Sequence, residues 1–102
     1  MGQAAINIPE NHLASLLTIF SSRGFVERVI LFGSRARGDH EERSDIDLAI
    51  DAEHTTERQW FDLCEEMRAI TLLKLDIVRM DEASTELLDR IESEGKPIYD
   101  RR

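Results

Sequence analysis

Two aspartates separated by a single residue, Asp45 and Asp47, follow a Gly33-Ser34 pair across ten intervening residues. On a β-strand, residues two apart share a face, so Asp45 and Asp47 look one way and Ile46, Leu48 and Ile50 the other. The two carboxylates then stand about 7 Å apart and repel unless a cation lies between them. Asp76, between Leu75 and Ile77, shows the same alternation. If the two strands lie close in the sheet, Asp45, Asp47 and Asp76 meet on one face. Three carboxylates suit hard divalent cations, which take oxygen ligands. Asp47 could bridge two such ions, completed by Asp45 and Asp76. Two metals about 4 Å apart clamp the attacking and leaving oxygens of a phosphoryl displacement. Gly33 and Ser34 fit the other half of that chemistry: a residue without Cβ lets backbone approach a phosphate, and the hydroxyl and following amides donate to it. Arg35 and Arg37 could add positive charge. Each feature taken singly has a plainer reading: Gly33-Ser34 as a turn and cap, Asp45-Ile46-Asp47 as a solvated strand edge, Asp76 as a surface acid. Acids sharing a face across two strands weigh towards a site.

These residues need elements to hold them. Residues 1 to 8 read as a loose leader. A helix opens at Pro9, with Leu13, Leu16, Leu17 and Phe20 at helical spacing, and ends at Gly24. The pattern predicts a strand from Val26 to Phe32, a short helix from Ser34 to about Arg37, a loop from Gly38 to Ser44, and a strand from Asp45 to Asp51. Thr56 and Gln59 make a capping-box pair. Trp60, Leu63, Cys64, Met67 and Ile70 mark the buried face of the helix that follows, and Phe61 also reads as core. A strand from Lys74 to Met80 precedes a last helix, capped by Asp81 or Ser84, with Leu87, Leu88 and Ile91 inward and a stop at Gly95 and Pro97. Ile98 and Tyr99 suit a short edge strand. The order α-β-α-β-α-β-α predicts an α/β (α+β) fold: a small mixed β-sheet with helices packed on one face, in a single domain over residues 1 to 102.

Composition narrows the function. The chain has 102 residues, 41% of them hydrophobic, and a formal charge of −8. That charge argues against direct binding of nucleic acid, which favours a basic face. Arg35, Arg37 and Arg43 nevertheless crowd the Gly-Ser segment, and a local basic patch on an acidic body suits a polyphosphate. No apolar run approaches membrane-spanning length and no basic-then-apolar leader is present, so a cytoplasmic location is expected. The single cysteine, Cys64, excludes an internal disulfide and reads as core. His12 and His54 read as surface residues; His40, in the loop, could touch substrate but reads first as an exposed loop histidine.

The string Gly33-Ser34-Arg35-Ala36-Arg37-Gly38, with Ser44-Asp45-Ile46-Asp47-Leu48 and Leu75-Asp76-Ile77-Val78, resembles the polymerase-beta-like nucleotidyltransferases, and within them the minimal nucleotidyltransferases (MNT). The resemblance runs from the first strand to the last helix. It implies a nucleotidyltransferase fold, ATP as substrate, two Mg2+ ions, and transfer of AMP to a hydroxyl with loss of pyrophosphate. It implies catalytic and metal-binding roles for Asp45, Asp47 and Asp76 and nucleotide-binding roles for Gly33, Ser34, Arg35 and Arg37. It also implies a partner. MNT proteins pair with helical HEPN proteins in toxin–antitoxin systems, where the MNT antitoxin attaches AMP to a tyrosine of the HEPN toxin.

Larger relatives carry a further domain that holds the acceptor, so here the acceptor is expected to come from another chain or a second copy of this one. Three readings stand at this point. The chain is an adenylylating antitoxin in a hetero-oligomer with a HEPN toxin, a non-catalytic module that neutralises its partner by contact, or a small-molecule nucleotidyltransferase of the antibiotic-modifying kind.

Overall fold

The computed structural model describes residues 6–101. The chain runs α1 (Glu10–Ser21), β1 (Arg28–Phe32), α2 (Ser34–Arg37), β2 (Ile46–Asp51), α3 (Glu57–Arg68), β3 (Leu75–Arg79), a 3-10 turn (Met80–Glu82), α4 (Thr85–Glu94) and β4 (Lys96–Asp100). Local chemistry accounts for most boundaries. Thr56 caps α3 in a full capping box with Gln59, as the sequence predicts, and Ser84 is the residue that caps α4, accepting from Leu87 N–H. Ser22 ends α1 two residues before Gly24.

The sheet is mixed, in the order β3-β2-β1-β4. β1 runs antiparallel to β2 and β4, and β2 runs parallel to β3. β4 is a full edge strand, and its Pro97 is tolerated there because an edge leaves one side of the ladder unpaired.

β1 is apolar on both faces from Val29 to Phe32, and β2 on the face of Ile46, Leu48 and Ile50. Val29, Leu31, Ile46, Leu48 and Ile50 join Leu16 and Phe20 of α1 and Leu63 and Met67 of α3 in one cluster. Ile30, Phe32 and Ala49 point the other way, where Ile91 and Leu87 of α4 cover them. The mixed sheet agrees with expectation, and α1 and α3 do share a face. α4 does not: it lies on the opposite face, because Val29-Ile30-Leu31-Phe32 is a continuous apolar run with two sides to bury. Gly95 serves this packing. Its φ of −76° is ordinary, but a Cβ there would run into Ile30 Cγ2 and Ile91 O, so the chain turns from α4 into β4 hard against β1.

Two further expectations are corrected. Phe61 is 59% exposed, since the inward face of α3 passes through Leu63, Cys64 and Met67 and leaves position 61 outside. Residues 6 to 8 of the expected leader are tied down: Ile8 is in the core, Ile6 packs against it, and Asn7 bonds Arg35. Residues 1–5 of that leader lie outside the described residues. Cys64 is buried as expected, and burial raises its thiol pKa.

Candidate active site

Register assembles the site. The antiparallel β1–β2 ladder sets Phe32 opposite Asp47, so Gly33, the next residue, arrives beside the Asp47 side chain. The parallel β2–β3 ladder pairs Asp47 with Asp76. Residues 33, 47 and 76 therefore meet at one end of the three strands.

Gly33 is demanded twice. Its φ of 75° with ψ of −157° belongs to a region essentially reserved for glycine. A Cβ would also collide with Asp47 Oδ2 and press on Cγ at 3.0 Å. The space the missing Cβ leaves is thus filled by the Asp47 carboxylate, which is wedged against the turn. Asp47 is half-buried and its pKa is pushed up from 3.8 to about 6. Burial is the main cause, followed by the charges of Asp76 and Asp45, while Arg90 pulls the other way.

The other expected residues fall in different places. Asp76 is exposed beside Asp47. Asp45 lies one residue before β2, near enough for its charge to act on Asp47, with Oδ2 4.0 Å from Lys74 Nζ. Among the described residues no three His, Cys, Asp or Glu side chains are drawn together tightly enough to enclose a metal ion, so Asp45 stands next to the Asp47–Asp76 pair without closing a cage. Ser34 opens α2, half-exposed, its hydroxyl without a hydrogen bond among the described residues. Arg37, at the far end of α2, is exposed and bonds Asp39 Oδ2 and Glu94 Oε1, both at 3.3 Å. These bonds, that to Asp39 foremost, raise its pKa.

Arg35 is placed elsewhere than the expectation put it. It is 4% exposed. Its guanidinium donates to the carbonyls of Glu42 at 2.8 Å, Asn7 at 2.9 Å and Ser44 at 3.1 Å. One turn of helix sends Arg37 out and Arg35 in, so Arg35 staples the loop that delivers Asp45. The basic patch read from the sequence divides into a structural arginine and an outward one.

Two residues of α4 reach the site without having been expected there. Glu94 Oε1 accepts from Gly33 N–H at 3.0 Å, and Arg90 Nε donates to the same oxygen at 3.3 Å. Leu87, Ile91 and Glu94 lie on one stripe of α4, and a charge on an otherwise apolar stripe was the available signal. An open groove of about 580 Å³ adjoins Asp45 and is lined also by Arg43, Leu72, Leu73 and Lys74.

Chemically, this end of the sheet juxtaposes clustered oxygen donors with a tight glycine turn, an unengaged hydroxyl and outward guanidinium charge. Oxygen donors of this kind suit hard cations, and the turn with its charges suits a phosphate.

Known proteins resemble this chain in sequence and in fold. A 28-residue stretch is 61% identical to a Methanocaldococcus jannaschii protein named as a candidate protein adenylyltransferase; it covers 28% of this chain and 28% of that relative. A crystal structure of a toxin–antitoxin with AMP-PNP superposes with a TM-score of 0.72 at 25% identity, covering 93% of this chain and 76% of the other. A tri-AMPylated Shewanella oneidensis HEPN toxin in complex with its MNT antitoxin gives a TM-score of 0.68 at 19% identity, over 89% and 71% of the two chains, a likeness of fold. The profile described as "Polymerase beta, Nucleotidyltransferase" matches residues 15–102, which include every residue of the site. The chain belongs to the polymerase beta nucleotidyltransferase family.

Proposed function

We propose that this protein transfers AMP from ATP to a hydroxyl of a partner protein, a tyrosine of a HEPN toxin, and acts in the cytoplasm as its antitoxin. The observation that carries the reading is Asp47, wedged against Gly33 and paired in register with Asp76. A half-buried carboxylate, raised to about 6 by burial first and by its acidic neighbours after that, lies in a cluster of oxygen donors short of a cation. The residues therefore fit magnesium: Asp45, Asp47 and Asp76 would be the ligands of two ions. Bound there, the ions supply positive charge that offsets the triphosphate and the departing pyrophosphate.

The chain's own groups do the rest. Gly33 N–H and the Ser34 hydroxyl donate to the phosphate chain, and Arg37 balances its charge. Arg35 holds the loop that presents Asp45. Asp76, the exposed member of the trio, is open to an incoming hydroxyl and takes its proton. The acceptor oxygen bonds to the α-phosphorus as the bond to pyrophosphate breaks. The groove beside Asp45 has room for an acceptor side chain. The toxin–antitoxin relatives support a HEPN chain as the source of that acceptor.

The test is Asp45→Asn combined with Asp47→Asn, which keeps size and removes two charges. Mixed with a HEPN protein, ATP and Mg2+, the wild type should add AMP, read as a mass increase on the partner. The variant should still bind the partner while transfer falls on the order of 100-fold or more. A variant that neutralises the partner as fully as the wild type would show that contact suffices, and the enzymatic reading would be wrong.

A further inference from the structure

Glu94 Oε1 accepts three hydrogen bonds: from Gly33 N–H at 3.0 Å and from Arg37 Nη1 and Arg90 Nε at 3.3 Å each. The donors come from the turn after β1, from α2 and from α4, and they converge on one oxygen. Two are guanidinium groups, whose bonds to carboxylates and phosphates are among the strongest available to a side chain. Glu94 is the last residue of α4, where the negative end of the helix dipole disfavours a carboxylate. The donor set, and not the helix, holds it. Arg90 lies over the Phe32 ring, 5.9 Å from its centroid, and Phe32 is the residue paired with Asp47. The donors thus surround an anion next to the carboxylate cluster, and the anion they hold belongs to the protein.

We infer that Glu94 is an internal stand-in for the phosphate chain of the nucleotide. On binding, the triphosphate displaces the Glu94 carboxylate, and Arg90 turns from Glu94 to become a phosphate-binding residue beside Gly33 and Arg37. This rests on the nucleotide reading of the site and adds to it a residue and a competition. The backbone need not move, because Gly95 is packed against Ile30 and only the Glu94 side chain has to swing. A site held partly closed by its own carboxylate binds with an apparent affinity reduced by the fraction that is open. A triphosphate, with more oxygens and more charge than one carboxylate, competes best, and shorter phosphate chains compete less well.

The experiment is calorimetric titration of the whole protein, with Mg2+, using a non-hydrolysable ATP analogue and adenosine. Glu94→Gln keeps the side-chain size and removes the charge. It should bind the triphosphate about tenfold more tightly and leave adenosine unchanged. Arg90→Ala should bind the triphosphate about tenfold more weakly, again without altering adenosine, and Arg90→Lys should recover part of the loss. A triphosphate affinity unchanged or weakened in Glu94→Gln overturns the inference, as does an Arg90→Ala loss that extends equally to adenosine. A wild type that binds the triphosphate while Glu94→Gln changes nothing sinks this inference alone. A wild type that binds no triphosphate sinks the nucleotide reading and this inference with it. A crystal structure of the wild type with the analogue and Mg2+ checks the exchange without a variant: Glu94 Oε1 should have left the Gly33 amide, and its persistence there refutes the displacement.

Discussion

Asp47 touches Gly33 on one side and neighbours Asp76 on the other, and its pKa of about 6 against an ordinary 3.8 gives the site a pH signature. The folded protein holds this proton more tightly than the unfolded chain does. Between about pH 4 and 6 the folded state therefore carries more bound protons, and stability falls as pH rises through that window; the loss is complete above it. Because the side chain is only half-buried, solvent screening reduces the effect to about 1–2 kcal/mol. Urea denaturation in EDTA should show Asp47→Asn with a flatter profile than wild type from pH 4 to 6, and more stable by that amount at pH 7. Parallel profiles for the two proteins would refute the assignment. The Gly33-Ser34 and Asp45-Ile46-Asp47 pattern was legible because turns and strand alternation are local properties. The contact between Gly33 and Asp47 was not, since it depends on two segments meeting across a ladder.

α2 shows what an element adds to a motif. Four helical residues between Gly33 and Gly38, the latter a left-handed cap at φ 90°, turn Arg35 inward and Arg37 outward. Sequence alone made both arginines candidates for the phosphate. The structure spends Arg35 on the carbonyls of residues 7, 42 and 44, which no local rule connects to it. Arg35→Met should leave those carbonyls without their donor and cost about 2–4 kcal/mol of stability. It should also lower transfer by loosening the loop before Asp45. Arg37→Met should leave the melting temperature nearly unchanged and weaken triphosphate binding. Thermal denaturation and nucleotide titration of the pair decide this; equal loss of stability in both would contradict the division of roles. The capping box of α3, by contrast, was readable in advance because Thr56 and Gln59 act within one turn of each other.

At the scale of the molecule, the proposed acceptor lies outside this chain. Co-expressed with a HEPN protein, this chain should elute as a hetero-oligomer, with a mass by light scattering above that of either chain. A protein that stays alone and efficiently modifies small alcohols would favour the antibiotic-modifying reading. Among the described residues no helix is long and apolar enough to cross a membrane. The sequence by itself determined the turn-and-aspartate pattern, the run of elements from α1 to β4 and the family they resemble, because each rests on periodicity, capping or spacing within a short window. Only the tertiary structure decided that α4 crosses to the second face, that Arg35 is structural, and that Arg90 and Glu94 stand at Gly33. The reason is physical: strand register and the two-sided burial of β1 bring Gly33 against Glu94, 61 positions away, and no local period carries that information.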